Sequence, residues 1–207
     1  MNLKDKNIGY YFITDNSLSL KGNITDVENA CKSGVKIVQY RNKVDSIDKQ
    51  YQEAHKLRQI CKQYNVLFLI NDRVDIALAV DADGVHLGQN DLPYPVARKL
   101  LGKKKIIGIS THNVKEARLA EFSNVDYIGV GAIFNTNTKK DIKVSGIETL
   151  KKIREAVSIP IIAIGGINLE NFQSVIDAGA DGFASISDIL TKEDITIHIK
   201  DINSKFK

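Results

Sequence analysis

The chain has 207 residues, 43% hydrophobic and 26% charged, with a net charge of +4 at pH 7. This composition fits one soluble folded domain and excludes a disordered chain, and no apolar run reaches the roughly 20 residues a membrane-spanning helix needs. Basic residues alternate with acidic ones, and the short clusters Lys103-Lys104-Lys105 and Lys139-Lys140 lack interleaved aromatics, so neither nucleic acid nor membrane is an expected partner.

A mild basic excess suits small phosphorylated ligands. The N-terminus shows no apolar signal core, and Cys31 and Cys61 lie in helical patterns without metal-ligand spacing. Packed thiols and a cytoplasmic location are expected. Assembly into a homo-oligomer is left open.

Apolar runs recur along the chain at Tyr10 to Thr14, Val35 to Gln39, Val66 to Ile70, Gly84 to Leu87, Ile106 to Ile109, Tyr127 to Val130, Ile161 to Ile164 and Phe183 to Ile186. They are rich in Ile and Val and apolar almost throughout, as strands buried on both faces are. Between them lie segments of helical spacing: Ser46 to Tyr64, a short one beginning near Val74, Pro93 to Leu101, Asn113 to Phe122, Gly146 to Val157 and Leu169 to Ala178. Ser46 or Asp45 and Asn168 are expected N-caps, and Gly102 and Gly179 terminators. The lead-ins Gly34-Val35, Ala82-Asp83-Gly84 and Ala178-Gly179-Ala180-Asp181-Gly182 hint at a repeated unit. The alternation predicts an α/β fold, a single (β/α)8 TIM barrel over residues 1–207, with a doubly wound open sheet as the alternative.

In such barrels the functional groups follow the strands. Asp72 and Asp91 come just after the third and fourth runs. Two roles are open to them: N-caps of the helices that follow, or a seat for Mg²⁺, a hard cation that takes carboxylate and phosphate oxygens. Gln39, Arg41 and Lys43 alternate and would share one face, suited to an anion. Acidic neighbours such as Asp15 or Asp45 could equally pair with them. Asn135 to Lys140, with Thr136, Asn137, Thr138 and Lys139, has the composition of a phosphate-wrapping loop. Gly165-Gly166 and the stretch through Ile186 and Ser187 follow the last two strands, where barrels often bind phosphate. His86 reads as a buried, hydrogen-bonded residue beneath the site, and His112 has no assigned role.

Taken together, Gly34 to Lys43 (GVKIVQYRNK), Ile70 to Gln89 with Asp91, Ile107 to His112 (IGISTH), Asp126 to Lys139 (DYIGVGAIFNTNTK), Ala163 to Ile167 (AIGGI) and Ala178 to Ile189 resemble the thiamine phosphate synthase family. The resemblance implies that a hydroxymethylpyrimidine diphosphate loses pyrophosphate and a thiazole phosphate nitrogen takes the methylene, by a dissociative path. It further implies that Gln39, Tyr40, Arg41, Asn42, Lys43 and Asn71 hold the pyrimidine diphosphate and that Asp72 and Asp91 hold Mg²⁺. Ser110 would meet the diphosphate or pyrimidine region, and Lys139 the diphosphate. Thr136, Asn137, Thr138, Gly166, Ile186 and Ser187 would take the thiazole phosphate. Arg41, Lys43, Ser110 and Lys139 would be catalytic. The chain departs from the family at Tyr40, Asn42 (usually Glu), Ala132, Asp141 to Val144, and Asp188. A thiazole tautomerase-like barrel and a catalytically silent phosphate-binding barrel are the rival readings.

Overall fold

The computed structural model describes residues 3, 8–136 and 144–206. Eight parallel strands close into a barrel in sequence order: β1 (Gly9–Ile13), β2 (Ile37–Tyr40), β3 (Leu67–Asn71), β4 (Gly84–Leu87), β5 (Ile106–Thr111), β6 (Tyr127–Val130), β7 (Ile161–Ile164) and β8 (Gly182–Ala184). The helices are α1 (Asn23–Lys32), α2 (Ile47–Gln63), α3 (Val74–Ala79), α4 (Tyr94–Leu101), α5 (Val114–Phe122), α6 (Gly146–Ala156), α7 (Phe172–Asp177), α8 (Ser187–Leu190) and α9 (Ile195–Lys205).

The alternation of side chains along each strand builds two apolar layers. On β1, Tyr10 and Phe12 pack outward against the helices, while Tyr11 and Ile13 point into the barrel with Ile37, Leu69, Tyr127 and Ile162. Both faces are therefore buried, which is why the runs lack a hydrophobic–polar alternation. Phe183 on β8 stacks on Phe172 of α7 at 5.1 Å and on Phe206 at 6.3 Å, just beyond α9, tying the last helices to the sheet.

Three details differ from the sequence-based expectation. β8 stops at Ala184, because Ser185 turns its hydroxyl back to Ile167 O at 2.6 Å instead of continuing the ladder. Helix α7 starts at Phe172, later than expected, because Asn168 and Asn171 close a local turn. Asn168 Oδ1 accepts from the amides of Glu170 and Asn171, and Asn171 Oδ1 accepts from Asn168 N. Ser46 does occupy the N-cap position of α2 but makes no side-chain cap bond.

The lead-in motif has a physical basis at the N-terminal face of the barrel. Asp83, at the entrance to β4, accepts from Phe68 N of β3 at 2.8 Å and from Arg58 of α2 at 2.9 Å through the same Oδ2. Asp126, before β6, does the same with Ile107 N of β5 at 2.8 Å and Arg98 of α4 at 2.6 Å. Asp181, before β8, repeats it with Ile161 N of β7 at 2.9 Å and Arg154 of α6 at 3.1 Å. Each carboxylate thus joins two adjacent strands and the helix two positions back.

Removing the Asp181 carboxylate strands a buried amide and an arginine. Asp181→Ala is expected to cost about 3 kcal/mol, measured by urea denaturation. Asp181→Asn keeps an acceptor for Ile161 N and is expected to cost clearly less; equal losses would refute the clamp.

Candidate active site

The turn after β3 is tight. Arg73 N donates to Asn71 O at 2.7 Å and Asp72 N to His86 O at 2.9 Å, with Asp72 at φ +60°. A non-glycine residue in this left-handed region is uncommon, and here two neighbouring bonds hold it. The Asp72 carboxylate lines a cavity at the C-terminal mouth of the barrel and pairs with Lys43 Nζ at 2.7 Å. Asp91 lines the same cavity and accepts from Gly88 N at 2.6 Å, closing the turn after β4. Neither aspartate caps a helix: α3 and α4 begin after Arg73 and Pro93, and neither start has a side-chain cap bond.

Beyond β2, Arg41 is fixed from several sides. Its N–H donates to Thr14 Oγ1 at 2.9 Å, and its Nη1 bonds the buried Asp15 carboxylate, one of the acidic partners the sequence offered. Its Nε is buried with no hydrogen-bond partner among the described residues. Gln39, Arg41, Lys43 and Asn71 line the cavity beside Asp72 and Asp91. Tyr40 and Asn42, also expected at the substrate, do not line it. The alternation turns Tyr40 outward, where its hydroxyl donates to Glu53 at 2.7 Å. Asn42 donates to Asp45 at 2.8 Å and accepts from the Val44 and Asp45 amides, so it builds the loop.

This space of about 310 Å³ adjoins a second lobe of about 80 Å³ under the ends of β6, β7 and β8. Thr136, Gly165, Gly166, Ile186 and Ser187 line the second lobe, and Arg41, Ser110 and His112 line both. Gly166 is at φ +65°, and a Cβ there would sit 2.4 Å from Asn135 O, so no larger residue fits without moving the β6 loop. Asp188 lines neither lobe; its carboxylate lies 3.9 Å from Lys192 Nζ, just past the end of α8. Asn137, Thr138 and Lys139 lie outside the described residues, as do Asp141, Ile142 and Lys143.

His86 is half-buried, with its ring hydrogen-bonded to Tyr127 and Ser110. His112 is held by Glu116, which accepts from its backbone N–H and contacts its ring. Tyr11 and Tyr127 also line the cavity, and neither stood out in the sequence. Gln89 donates to Ser110 O at 2.6 Å.

Comparison with known proteins decides the family. The model described as thiamine monophosphate synthase matches residues 10–189. The chain belongs to the thiamine monophosphate synthase family. It is 50% identical over 192 residues to a thiamine-phosphate synthase from Methanosarcina barkeri, covering 92% of this chain and 86% of that one. It is also 50% identical over 193 residues to a thiamine-phosphate synthase from Clostridium novyi, covering 92% and 95%. A solved thiamine phosphate pyrophosphorylase from Pyrococcus furiosus superimposes with a TM-score of 0.91 at 40% identity, covering 99% of this chain and 98% of that one. The protein is thus a transferase of this family. No helix among the described residues is long and apolar enough to cross a membrane.

Within this family member the two rim carboxylates sit close enough to perturb each other. Burial and the adjacent Asp72 carboxylate raise the Asp91 carboxyl above its ordinary value. Burial also pushes Asp72 up, but hydrogen bonds from Lys43 and Asp91 outweigh it and hold Asp72 below the ordinary range. Two facing carboxylates, one reluctant to ionise, form a hard-oxygen donor set that a divalent cation would relieve. Among the described residues no cluster of three or more His, Cys, Asp and Glu could hold a metal, so further ligands would come from phosphate oxygens and water.

Lys43→Ala is expected to raise the Asp72 carboxyl pKa in the metal-free protein, read from carboxyl ¹³C shifts against pH. Because Asp72 is depressed in the fold, its pair stabilises the protein above the unfolded pKa and loses that contribution as pH falls through the folded value. The variant should lack that acid-side loss. An unmoved Asp72 titration would show that the ion pair does not form in solution.

Proposed function

We propose that this enzyme joins a hydroxymethylpyrimidine diphosphate to a thiazole phosphate, releasing thiamine phosphate and pyrophosphate. One observation carries the reading: the cavity has two lobes, one rimmed by Asp72, Asp91, Lys43 and Arg41, the other floored by Gly165-Gly166, with Ser110 and Arg41 common to both. Such a site suits a diphosphate beside a second phosphorylated molecule. The names of the relatives point the same way.

The C–O bond from the pyrimidine methylene to the diphosphate breaks, and its electron pair leaves with pyrophosphate. The lone pair of the thiazole ring nitrogen then forms the new C–N bond. No proton has to be removed, so no strong general base is required. Arg41, held against Asp15 with a buried Nε directed to no protein acceptor among the described residues, is placed to stabilise leaving-group charge. Lys43, half-exposed in its pair with Asp72, can exchange that partner for a phosphate oxygen. Mg²⁺ fits Asp72 and Asp91 and would supply further charge neutralisation on the diphosphate. Gly166 leaves the second lobe open for the thiazole phosphate. Asn71 and Gln39 orient the pyrimidine partner, and apolar walls at Ile164, Ala184 and Ile186 limit water access to a reactive cation.

Purified protein incubated with both substrates and Mg²⁺ is expected to form thiamine phosphate; none formed would overturn the reading in favour of a tautomerase-like or ligand-binding barrel. Asp72→Ala is expected to lower Mg²⁺-dependent turnover by at least about 100-fold with an unchanged circular dichroism spectrum, and normal turnover would remove Asp72 from the machinery. Gly166→Val should raise KM for the thiazole phosphate about tenfold and leave KM for the diphosphate nearly unchanged. Equal effects on both would argue against assigning the second lobe to the thiazole.

A further inference from the structure

Beneath the cavity, side chains from β1, β2, β4, β5 and β6 form an unbroken hydrogen-bonded relay. Gln39 Nε2 donates to Tyr11 Oη at 2.7 Å, and the Tyr11 and Tyr127 hydroxyls lie 2.9 Å apart. Tyr127 Oη lies 2.8 Å from His86 Nδ1, and His86 Nε2 lies 3.0 Å from Ser110 Oγ. Two mid-strand glycines make room for it. A Cβ on Gly108 would sit 2.0 Å from Tyr127 Cζ, and one on Gly129 would sit 3.0 Å from His86 Cε1. Glycine weakens a strand interior, and close approach of another group is the usual reason it is found there.

The relay has a direction. Burial pushes the Tyr11 phenol up to about 12 and Tyr127 well above its ordinary value, so both hydroxyls stay protonated. Each must then find an acceptor for one proton. The Gln39 N–H donates at one end, so Tyr11 accepts there and must donate to Tyr127. Tyr127 in turn donates to His86 Nδ1. A neutral imidazole that accepts at Nδ1 carries its proton on Nε2, which donates to Ser110 Oγ. That leaves the Ser110 O–H directed to the cavity. The reverse direction would strand the Tyr11 proton, buried and with no acceptor among the described residues.

We propose that Tyr127 and His86, backed by Tyr11 and Gln39, are positioning residues that lock His86 as its Nε2–H tautomer and present Ser110 to the substrate as a hydrogen-bond donor. The group that meets this donor is an electron-rich acceptor, such as a phosphate oxygen or a ring nitrogen. The substrate contact rests on the coupling reaction proposed above; the tautomer does not.

The chain has four histidines, so ¹⁵N-histidine labelling with His86→Gln for assignment isolates the His86 ring. In the wild-type protein the Nδ1 resonance is expected to be of the unprotonated type and the Nε2 resonance of the protonated type. Tyr127→Phe should turn this into a mixture of tautomers. The same change should lower kcat/KM about tenfold, and cost almost nothing further in a Ser110→Ala background, because groups that act through one another are not additive. A wild-type Nδ1–H tautomer, or a tyrosine effect that persists in full without the Ser110 hydroxyl, would overturn the proposal. If Tyr127→Phe does not fold, Tyr11→Phe breaks the relay one link earlier and is held to the same two readouts. A folded wild-type protein without coupling activity would overturn the proposed reaction alone, since the tautomer still decides the relay.

Discussion

The carboxylate clamp at the N-terminal face is the constraint on which the barrel's upper rim depends. A parallel barrel works only if adjacent strands keep their register, since a slip of one residue would exchange interior and exterior side chains. Asp83, Asp126 and Asp181 each pin an amide at the start of one strand, its first or second, to the entrance of the next, and an arginine from the outer helix neutralises each carboxylate. The interior order that follows lets Asn71 stand opposite His86, His86 opposite Gly108, and Ser110 opposite Gly129. The corresponding place before β2 is Lys36, whose side chain has no acceptor to offer a backbone amide. The β1–β8 junction is also short, with Gly9 and Tyr10 in register against Gly182 and Phe183. There the aromatic stack of Phe172, Phe183 and Phe206 supplies packing where the repeated clamp is missing.

The strands and most of the rim were legible in the sequence because they follow from local rules. Buried parallel strands are continuous apolar runs, and polar residues that end them mark the functional face. What stayed hidden depends on register between strands far apart in the chain. Tyr11 and Tyr127 are separated by 116 positions, and each reads alone as one more aromatic core residue. Their hydroxyls acquire a role only when β1 and β6 place them across the interior. The glycines at positions 108 and 129 could have been a signal, since a glycine inside a buried strand asks what approaches it.

Tyr40 and Asn42 are absent from the cavity lining for a local reason. The alternation that unites Gln39, Arg41 and Lys43 already sends the residues between them to the other side. Family likeness over the whole motif obscured that simple parity. At Asn42 the amide serves loop construction, satisfying two backbone N–H groups and bridging to Asp45. A departure from the family at this position therefore touches the cavity only through the loop that carries Arg41 and Lys43.

Those two cations differ in a way that matters for catalysis. Arg41 sits in a largely buried pair with Asp15, and its backbone is tied to Thr14, so its position is set before any ligand arrives. A buried pair held this firmly contributes little net stability, yet it keeps a charged group immobile where a ligand can use its remaining donor. Lys43 is half-exposed, on a flexible stem, and its pair with Asp72 is worth little in water. It can move from carboxylate to phosphate at small cost, and that move would free Asp72 for a cation. Under the proposed reaction, a fixed guanidinium, an exchangeable ammonium and a carboxylate released by the exchange would together form a rim that neutralises a diphosphate on arrival without holding it too tightly after the bond has broken.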